Sequence, residues 1–176
     1  MDKSEARTAK EARLASLYEE YYDKIARYIY VHIGNRIEAE DLAGDVFLKA
    51  LKSLDKFEQR DVPMQAWLYK IAHNLVVDHL RKAQKHRTTP LEDVEIESGE
   101  NPVESAEKSI DLAMVEKAME NLSNAQREVV RLRFFSGLSS KEVGQLLGKS
   151  DGAVREMQRA AIESLRVLLA VNRNNG

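Results

Sequence analysis

The stretch GLSSKEVGQLLGKSDGAVR, residues 137–155, decides the fold of the second half of this 176-residue chain. Ser139 is placed to cap a short helix, and Glu142, three residues later, completes a capping box. Gly148 ends that helix, and Ser150 or Asp151 begins another, in which apolar residues recur every three or four positions: Val154, Met157, Ala161, Leu165 and Leu168. The pattern predicts a helix-turn-helix, a motif that lays its second helix in the major groove of DNA. A plain helical hairpin is the alternative for this stretch taken alone.

The composition favours an all-α protein. The chain is rich in Ala, Leu, Glu, Lys and Arg, with only 8 Gly and 3 Pro. It has no cysteine, which excludes a disulfide framework and a thiolate metal site. No apolar run matches a signal peptide or a membrane span. We therefore expect a soluble, cytoplasmic protein without membrane insertion, and we predict no cofactor and no metal.

The net charge of −2 hides an uneven distribution along the chain. Residues 1–89 carry 16 Lys and Arg against 14 Asp and Glu, and residues 108–176 carry 11 against 8. Residues 90–107 carry 7 acids and no base. Two weakly basic segments thus flank an acidic one, which indicates local basic surfaces and not general binding of polyanions.

Apolar periodicity predicts two small helical domains joined by an acidic flexible linker. The first domain, residues 1–87, has helices over about 4–33, 38–54 and 63–86. Residues 88–108 hold two prolines and little apolar content, so they cannot bury a core. The second domain, residues 109–171, has a helix ending near Leu122, a helix opened by a capping box of Ser123 and Gln126, and the helix-turn-helix.

The third helix carries a polar side opposite its apolar side. Lys70, Asn74, Asp78, Arg81 and Lys85 follow one another at steps of four, four, three and four residues, and Lys82 extends the row. Lys and Arg neutralise phosphates, Asn can hold a base edge, and the preceding loop with Phe57 and Arg60 is of a kind that holds unstacked bases. The pattern alone favours the alternative, a solvated helix face.

The second helix mixes acidic and apolar residues near its start. Glu40, Asp41 and Asp45 lie beside Phe47 and Leu48, a mixture that suits a partner protein. An ordinary amphipathic helix, with its acids matched to the helix dipole, explains the pattern equally well.

The predicted recognition helix offers Arg155, Gln158 and Arg159 on the side away from its apolar stripe. These positions are near the N-terminal end, where such helices meet base edges, while Lys141, Lys149 and Ser150 are placed for phosphates.

The sequence gives no support for a catalytic role. The sequence contains no Ser-His-Asp set, no glycine-rich phosphate loop and no His-Glu-x-x-His pattern.

The order of these features resembles the extracytoplasmic-function (group 4) sigma factors of bacterial RNA polymerase. The resemblance rests on AEDLAGDVFLKAL at residues 39–51, AWLYKIAHNLVVDHLRK at 66–82, LSNAQREVV at 122–130 and the helix-turn-helix. Each motif alone is unspecific, but all of them in order, with an acidic linker between, are highly specific. The resemblance covers nearly everything from Leu14 to Leu169.

The resemblance implies a mechanism. The first domain would be sigma region 2 and the second region 4. The second helix would dock on the clamp helices of the polymerase β′ subunit through residues that match the family motif: Asp41, Leu42, Asp45, Val46 and Phe47. Region 4 would contact the β flap. The acidic linker would thread toward the active-site and RNA-exit path, and an anti-sigma factor is the expected regulator.

The resemblance also implies two DNA sites. The minus-ten element would be held as an unpaired non-template strand by Phe57, Arg60, Trp67, Lys70, Asn74, Asp78, Arg81, Lys82 and Lys85. The minus-thirty-five element would be read as duplex by Lys141, Lys149, Ser150, Arg155, Gln158 and Arg159. The remaining alternative is a stand-alone helix-turn-helix regulator whose first domain dimerises or binds an effector.

Three positions depart from the family pattern. Gly44 stands where Gln is frequent in the family. At the position after Arg159 this chain has Ala160, whereas many members have a basic residue there. Gly144 lies in the first helix of the helix-turn-helix, where Ala is usual, and it is expected to cost about 1 kcal/mol of helix propensity.

Overall fold

Strong local signals set the helix boundaries in the first domain. The computed structural model describes residues 2–58, 62–86 and 114–174. Helix α1 spans Lys3–Ile33 and ends at Gly34, which takes the left-handed conformation (φ 74°) that glycine adopts without strain. Helix α2 spans Arg36–Lys52, and the Asn35 side chain caps it by accepting from the Glu38 backbone N–H. Helix α3 spans Met64–His86 and follows Pro63, as the sequence predicts.

The core of the first domain lies between these three helices, each of which contacts the other two. A one-turn 3₁₀ helix, Leu54–Lys56, connects α2 to the chain that leads to α3. Side chains of all three helices and of this turn fill the core, among them Leu17, Ile25, Ile29, Val46, Leu54, Leu68, Tyr69 and Val76. Helices α2 and α3 each bury one side there, so each keeps an opposite side in solvent.

The second domain contains the predicted helix-turn-helix. A helical segment at residues 114–119 precedes α4, Asn124–Val130, which continues into a π-helical turn at Arg131–Phe135. Helices α5, Ser140–Leu147, and α6, Asp151–Asn174, form the motif. Both capping boxes are present, Ser123 with Gln126 and Ser139 with Glu142, and Gly148 ends α5 with φ 68°. The core joins α4 and α6 to the first segment through Met119, Leu122, Val130 and Ala161.

The predicted all-α architecture of two helical domains is confirmed for the described residues, and the chain divides into two compact units. The predicted linker, residues 88–108, and the start of the helix predicted to end at Leu122 lie outside the described residues. The predicted domain limits at residues 87 and 109 therefore stay predictions.

Gly144 has a role that helix propensity does not show. It is buried, and a Cβ at this position would lie 2.5 Å from the backbone carbonyl oxygen of Lys149. The Gly144 carbonyl in turn accepts from the backbone N–H groups of Gly148 and Lys149, the latter at 2.8 Å. The turn of the motif thus closes directly onto Gly144. The helix-propensity cost expected of this glycine is therefore set against a steric requirement, because its missing side chain makes room for the turn.

Gly144→Ala should therefore destabilise the protein although alanine is the better helix former. We expect a loss of about 1–3 kcal/mol, since backbone atoms must shift to admit the methyl group. Gly152→Ala is the matched control in the same motif: its Cβ would meet nothing within 4 Å, so we expect no loss and a gain of up to about 1 kcal/mol. Calorimetric unfolding of the full chain measures both, and a Gly144→Ala variant as stable as the parent would contradict this role.

Candidate functional site

The predicted polar row on α3 is exposed in the structure. Lys70, Asn74 and Asp78 lie on its first part, followed by Arg81, Lys82 and Lys85. Asp78 Oδ1 lies 3.8 Å from a guanidinium nitrogen of Arg81, three residues along the helix. We call these six side chains the α3 polar row. They form a mostly cationic surface with one amide, a combination suited to phosphates and base edges.

Trp67 lies three residues before Lys70, the first residue of the α3 polar row, and packs against Phe57. The two rings lie with centroids 4.8 Å apart and planes at 33°, and Trp67 is half-buried. Phe57 itself is only 6% exposed. This burial corrects the predicted DNA contact of Phe57: its ring packs on Trp67 and into the core, so it supports the neighbouring ring instead of offering a face of its own. Arg60 lies outside the described residues.

The outer side of α2 is acidic and apolar. Asp41 and Asp45 are exposed one turn apart, and Ile37 and Leu48 continue the same side with 74% and 50% of their surface exposed. Gly44 lies between them, where a Cβ would meet nothing within 4 Å. We call these residues, together with the exposed Leu51, the α2 outer face. Exposed apolar side chains next to acids mark a surface suited to a protein partner.

Two predicted docking residues lie on the other side of α2. Val46 and Phe47 are buried, and Phe47 packs edge-on against Tyr18 with ring centroids 5.0 Å apart. Leu42 is half-buried. The prediction of a direct contact is corrected for Val46 and Phe47, because they share the inward side with Ala39, Ala43 and Ala50. Sequence reasoning named neither Ile37 nor Leu51 for this surface, although the 3.6-residue period places both with Asp41.

A tyrosine ties the start of α2 to α1. Tyr22 Oη donates a hydrogen bond to the Glu40 backbone carbonyl at 3.2 Å. Burial raises the pKa of Tyr22, and the neighbouring Tyr18 and Glu40 raise it further. Tyr22 therefore keeps its proton and remains a donor, which fixes the acidic first turns of α2 beside the aromatic side chains of α1.

Arg155 is placed on α6 by a three-residue network. One Arg155 guanidinium nitrogen lies 2.7 Å from Asp151 Oδ2, and its Nε lies 3.5 Å from Ser140 Oγ. Ser140 also donates a short hydrogen bond to Asp151 Oδ1. The Arg155 side chain still has 70% of its surface exposed. The network joins both helices of the motif and limits the orientations of a guanidinium that faces solvent.

Gln158 and Arg159, the other two residues predicted to contact bases, are held by side chains of the protein. Gln158 is half-buried and accepts from Arg133 Nε at 2.9 Å, so it links α6 to the π-helical turn. Arg159 is exposed and pairs along its own helix with Glu156 at 2.5 Å and with Glu163 at 3.4 Å. Hydrogen bonding and charge lower the pKa of Glu156 and raise that of Arg159, each through the other. Arg155 is thus the predicted reader with the most open access.

The predicted phosphate contacts lie around the turn of the motif. Lys141 and Lys149 are exposed, one near the start of α5 and one in the turn. Ser150 is exposed as well, and its Oγ accepts from the Ala153 backbone N–H at 3.1 Å, which caps α6. These groups and the N-terminus of α6 share one end of the motif, which favours an anionic ligand there.

Two histidines of α3 make contacts between helices. His73 Nδ1 lies 3.0 Å from Tyr28 Oη, which joins α3 to α1. His79 Nε2 lies 3.5 Å from a Glu38 carboxylate oxygen, which joins α3 to α2. Among residues 2–58, 62–86 and 114–174 there is no cluster of His, Cys, Asp and Glu able to hold a metal ion. None of the helices in these ranges is long and apolar enough to span a membrane.

Asp151 should make the stability of the motif depend on pH. A hydrogen bond from Ser140, and after it the charge of Arg155, lower the pKa of this carboxyl group. Its contribution is therefore present above the ordinary aspartate pKa and is lost as the pH falls below about 4 toward the lower folded-state value. The parent should have a higher Tm than Asp151→Asn at pH 7, and the difference should shrink toward pH 3.

Ser140→Ala provides the control for this prediction, because it keeps the carboxylate and removes its strongest hydrogen bond. In that variant the loss of stability should begin at a higher pH than in the parent. A difference in Tm between the parent and Asp151→Asn that stays constant from pH 7 to pH 3 would show that the carboxylate contributes nothing to folding.

Comparison with known proteins identifies both domains. Residues 17–86 match the family model of sigma-70 region 2, and residues 118–167 match that of sigma-70 region 4. The chain is 36% identical over 134 residues to the ECF RNA polymerase sigma factor ShbA of Streptomyces griseus, covering 73% of this chain and 70% of ShbA. It is also 36% identical over 155 residues to the ECF RNA polymerase sigma factor BldN of Streptomyces coelicolor. That match covers 87% of this chain but 59% of the length of BldN.

Two solved structures are similar to this one. The complex of the sigma factor RpoE with the anti-sigma factor NepR from Bartonella quintana matches with a TM-score of 0.68 at 26% identity, covering 89% of this chain and 96% of the other. The structure of CnrH in complex with the cytosolic domain of CnrY matches in fold with a TM-score of 0.66 at 23% identity, covering 96% and 94%. The matches to both sigma regions do not favour the stand-alone regulator. The chain belongs to the ECF sigma factors of the sigma-70 family and is an RNA polymerase sigma factor.

Proposed function

We propose that this sigma factor uses three separate surfaces: the α2 outer face for core polymerase, the α3 polar row for the unpaired minus-ten strand, and the N-terminal end of α6 for the minus-thirty-five duplex. The observation that carries the proposal is the exposure of two different surfaces on two helices of one three-helix core, the acidic and apolar α2 outer face and the mostly cationic α3 polar row, in addition to the helix-turn-helix. A regulator that only reads duplex DNA has no use for the additional surfaces. The chain acts as a binding subunit in the cytoplasm and not as an enzyme.

The polymerase contact rests on the acids and leucines of α2. Asp41 and Asp45 supply charge for the β′ clamp helices, and Leu48 supplies exposed apolar area beside them. Val46 and Phe47 act from inside, because they hold α2 against α1 and so set the direction in which the outer face points. Gly44 keeps the middle of this face flat, which favours close approach of a partner helix.

The minus-ten contact rests on Trp67 and the α3 polar row. A half-buried indole offers one surface on which a base stacks, and the lysines and arginines that follow it track the phosphates. Asn74, one turn from Lys70, is the side chain best suited to hold a base edge. Asp78, exposed and 3.8 Å from an Arg81 guanidinium nitrogen, remains a predicted member of this site. Arg60 remains a predicted member of this site.

The minus-thirty-five contact rests on Arg155. Its guanidinium is exposed near the start of α6 and held by Asp151 and Ser140, while Lys141, Lys149 and Ser150 anchor the backbone around it. Arg159 is also exposed and, like Arg155 with Asp151, has to exchange a carboxylate partner, Glu156 or Glu163, to reach DNA. Gln158 mainly stabilises the motif through Arg133.

Two further partners follow from the surfaces and the relatives. The exposed pair Phe134 and Phe135 on the π-helical turn gives the second domain an apolar patch for the β flap.

The similar RpoE structure is a complex with an anti-sigma factor, and we propose that a protein of that kind regulates this chain. Such a partner has to cover the α2 outer face or the DNA surfaces in order to block initiation.

Reconstituted transcription tests the proposal as a whole. The full chain with core polymerase and a library of promoter sequences should start transcription from a subset that shares two elements at a fixed spacing. Arg155→Ala should cost about 1–3 kcal/mol of promoter affinity and relax selection at one minus-thirty-five position, if the guanidinium makes a bidentate base contact. No promoter-dependent initiation from any library member would overturn the proposed function. A uniform loss over all promoters would make Arg155 a phosphate contact.

Asp45→Arg tests the α2 outer face. Reversing this exposed charge should weaken the affinity for core polymerase at least about tenfold, because a like charge facing the partner costs several kcal/mol. Glu20→Arg, an equal charge change at an exposed position of α1, is the control and should bind core as the parent does. Fluorescence anisotropy of labelled chain titrated with core measures both. Equal affinities of the two variants would exclude Asp45 from the docking surface.

A further inference from the structure

The first turns of α1 hold the chain that leads to the minus-ten surface. Lys10 Nζ donates hydrogen bonds to two backbone carbonyls of the 3₁₀ turn, to Phe57 at 2.8 Å and to Leu54 at 3.4 Å. Arg7 forms an ion pair with Asp55 in the same turn. These contacts join positions about 45 residues apart, and the α1 part of them precedes residue 17, where the match to sigma region 2 begins.

Lys10 is the stronger of the two links. Its ammonium group lies in a part-buried place, where it meets the Phe57 carbonyl just past the helical turn and the Leu54 carbonyl that also accepts from the Phe57 backbone N–H. A hydrogen bond from a charged donor is stronger than a neutral one, and burial strengthens it further. Arg7 and Asp55 are both about half-exposed or more, and exposed ion pairs contribute little.

The link continues from the Phe57 backbone to Trp67. The carbonyl that accepts from Lys10 belongs to the residue whose buried ring stacks on the indole. Because Lys10 holds this carbonyl, it also holds the Phe57 Cα in place. The position of the Phe57 ring then determines which side of the Trp67 indole it covers. Leu14, buried on the same helix, anchors this part of α1 to the core. A continuous series of contacts thus runs from Lys10 through Phe57 to Trp67, three residues before the α3 polar row.

We infer that residues 3–16 of α1 act as a strut for the minus-ten site, with Lys10 as the positioning residue that sets the orientation of Trp67 through Phe57. Lys10 itself touches no DNA in this arrangement. The inference rests on the proposed role of Trp67 and the α3 polar row in strand binding. It assigns to a segment outside the matched family region a part in capturing the unpaired strand.

Fluorescence of the full chain tests the structural half of the inference, because Trp67 is the only tryptophan in the sequence. Lys10→Met keeps the apolar stem of the side chain and removes the donor. Its emission should shift to longer wavelength, and acrylamide should quench it at least about twofold more efficiently, with unchanged helical circular dichroism. Lys10→Arg should restore the parent spectrum because a guanidinium can donate to both carbonyls. Lys3→Met, an exposed lysine of the same helix, is the matched control and should leave the spectrum unchanged.

Strand binding tests the functional half. The probe is a fluorescent non-template oligonucleotide spanning the minus-ten element of a promoter selected with the parent holoenzyme. Lys10→Met holoenzyme should bind it at least about fivefold more weakly, a fraction of what one base–aromatic stack contributes. Its affinity for core polymerase should equal that of the parent, and Lys10→Arg should recover strand binding. If Lys10→Met binds the strand as the parent does, or if Lys10→Arg does not recover the lost strand binding, then residues 3–16 do not support the minus-ten site as inferred.

A third variant separates this inference from the proposed function. Lys70→Ala with Asn74→Ala changes two exposed residues of the α3 polar row, so the core stays intact. If this double variant weakens strand binding and Lys10→Met does not, the minus-ten surface stands and the strut is wrong. If the double variant binds the oligonucleotide as the parent does, the proposed minus-ten surface itself is wrong.

Discussion

The packing of α1 against both α2 and α3 is the constraint on which the functional surfaces of the first domain depend. Helix α1 contributes Leu17, Ile25 and Ile29 to the core, and α2 and α3 each turn one side toward them. A helix that buries one side can offer only its opposite side to a partner. The position of Asp41 and Asp45 in solvent therefore follows from the burial of Val46 and Phe47, and the exposure of Lys70 and Asn74 follows from that of Leu68 and Ala72. One core thus sets the exposed sides of both helices, α2 with its proposed docking surface and α3 with its proposed strand-binding surface.

Local signals in the sequence were sufficient for most of the fold. The capping boxes at Ser123 and Ser139, the glycine ends at Gly34 and Gly148, and the start of α3 after Pro63 are short-range features that depend on a few neighbouring residues. The exception is Gly144. Its value to the structure comes from the approach of the Lys149 carbonyl across the turn, and a scale of helix propensity contains no information about that contact.

Site prediction was less complete because a family motif gives positions and not directions. The motif at residues 39–51 predicts docking for Val46 and Phe47 together with Asp45, yet consecutive residues of a helix point about 100° apart. Phe57 and Gln158 show a second reason. Each is engaged by a residue distant in sequence, Phe57 by Trp67 and Gln158 by Arg133, and no local pattern predicts such pairs. The exposed row on α3 was predicted well because its members share one helix and one period.

Electrostatics explain how a chain with a net charge of −2 can serve two DNA sites. On α6 both arginines that we propose for DNA binding already have a carboxylate partner, Asp151 for Arg155 and Glu156 for Arg159. These exposed pairs are weak in water, so they can be exchanged for phosphates or base edges at small cost. The exchange also limits the gain, because each arginine gives up one partner to reach another. The free protein is thus poorly suited to bind arbitrary DNA, and affinity has to come from contacts made together. In the proposed arrangement, core polymerase binds the α2 outer face, which carries no DNA contact, and so joins two weak DNA contacts in one assembly.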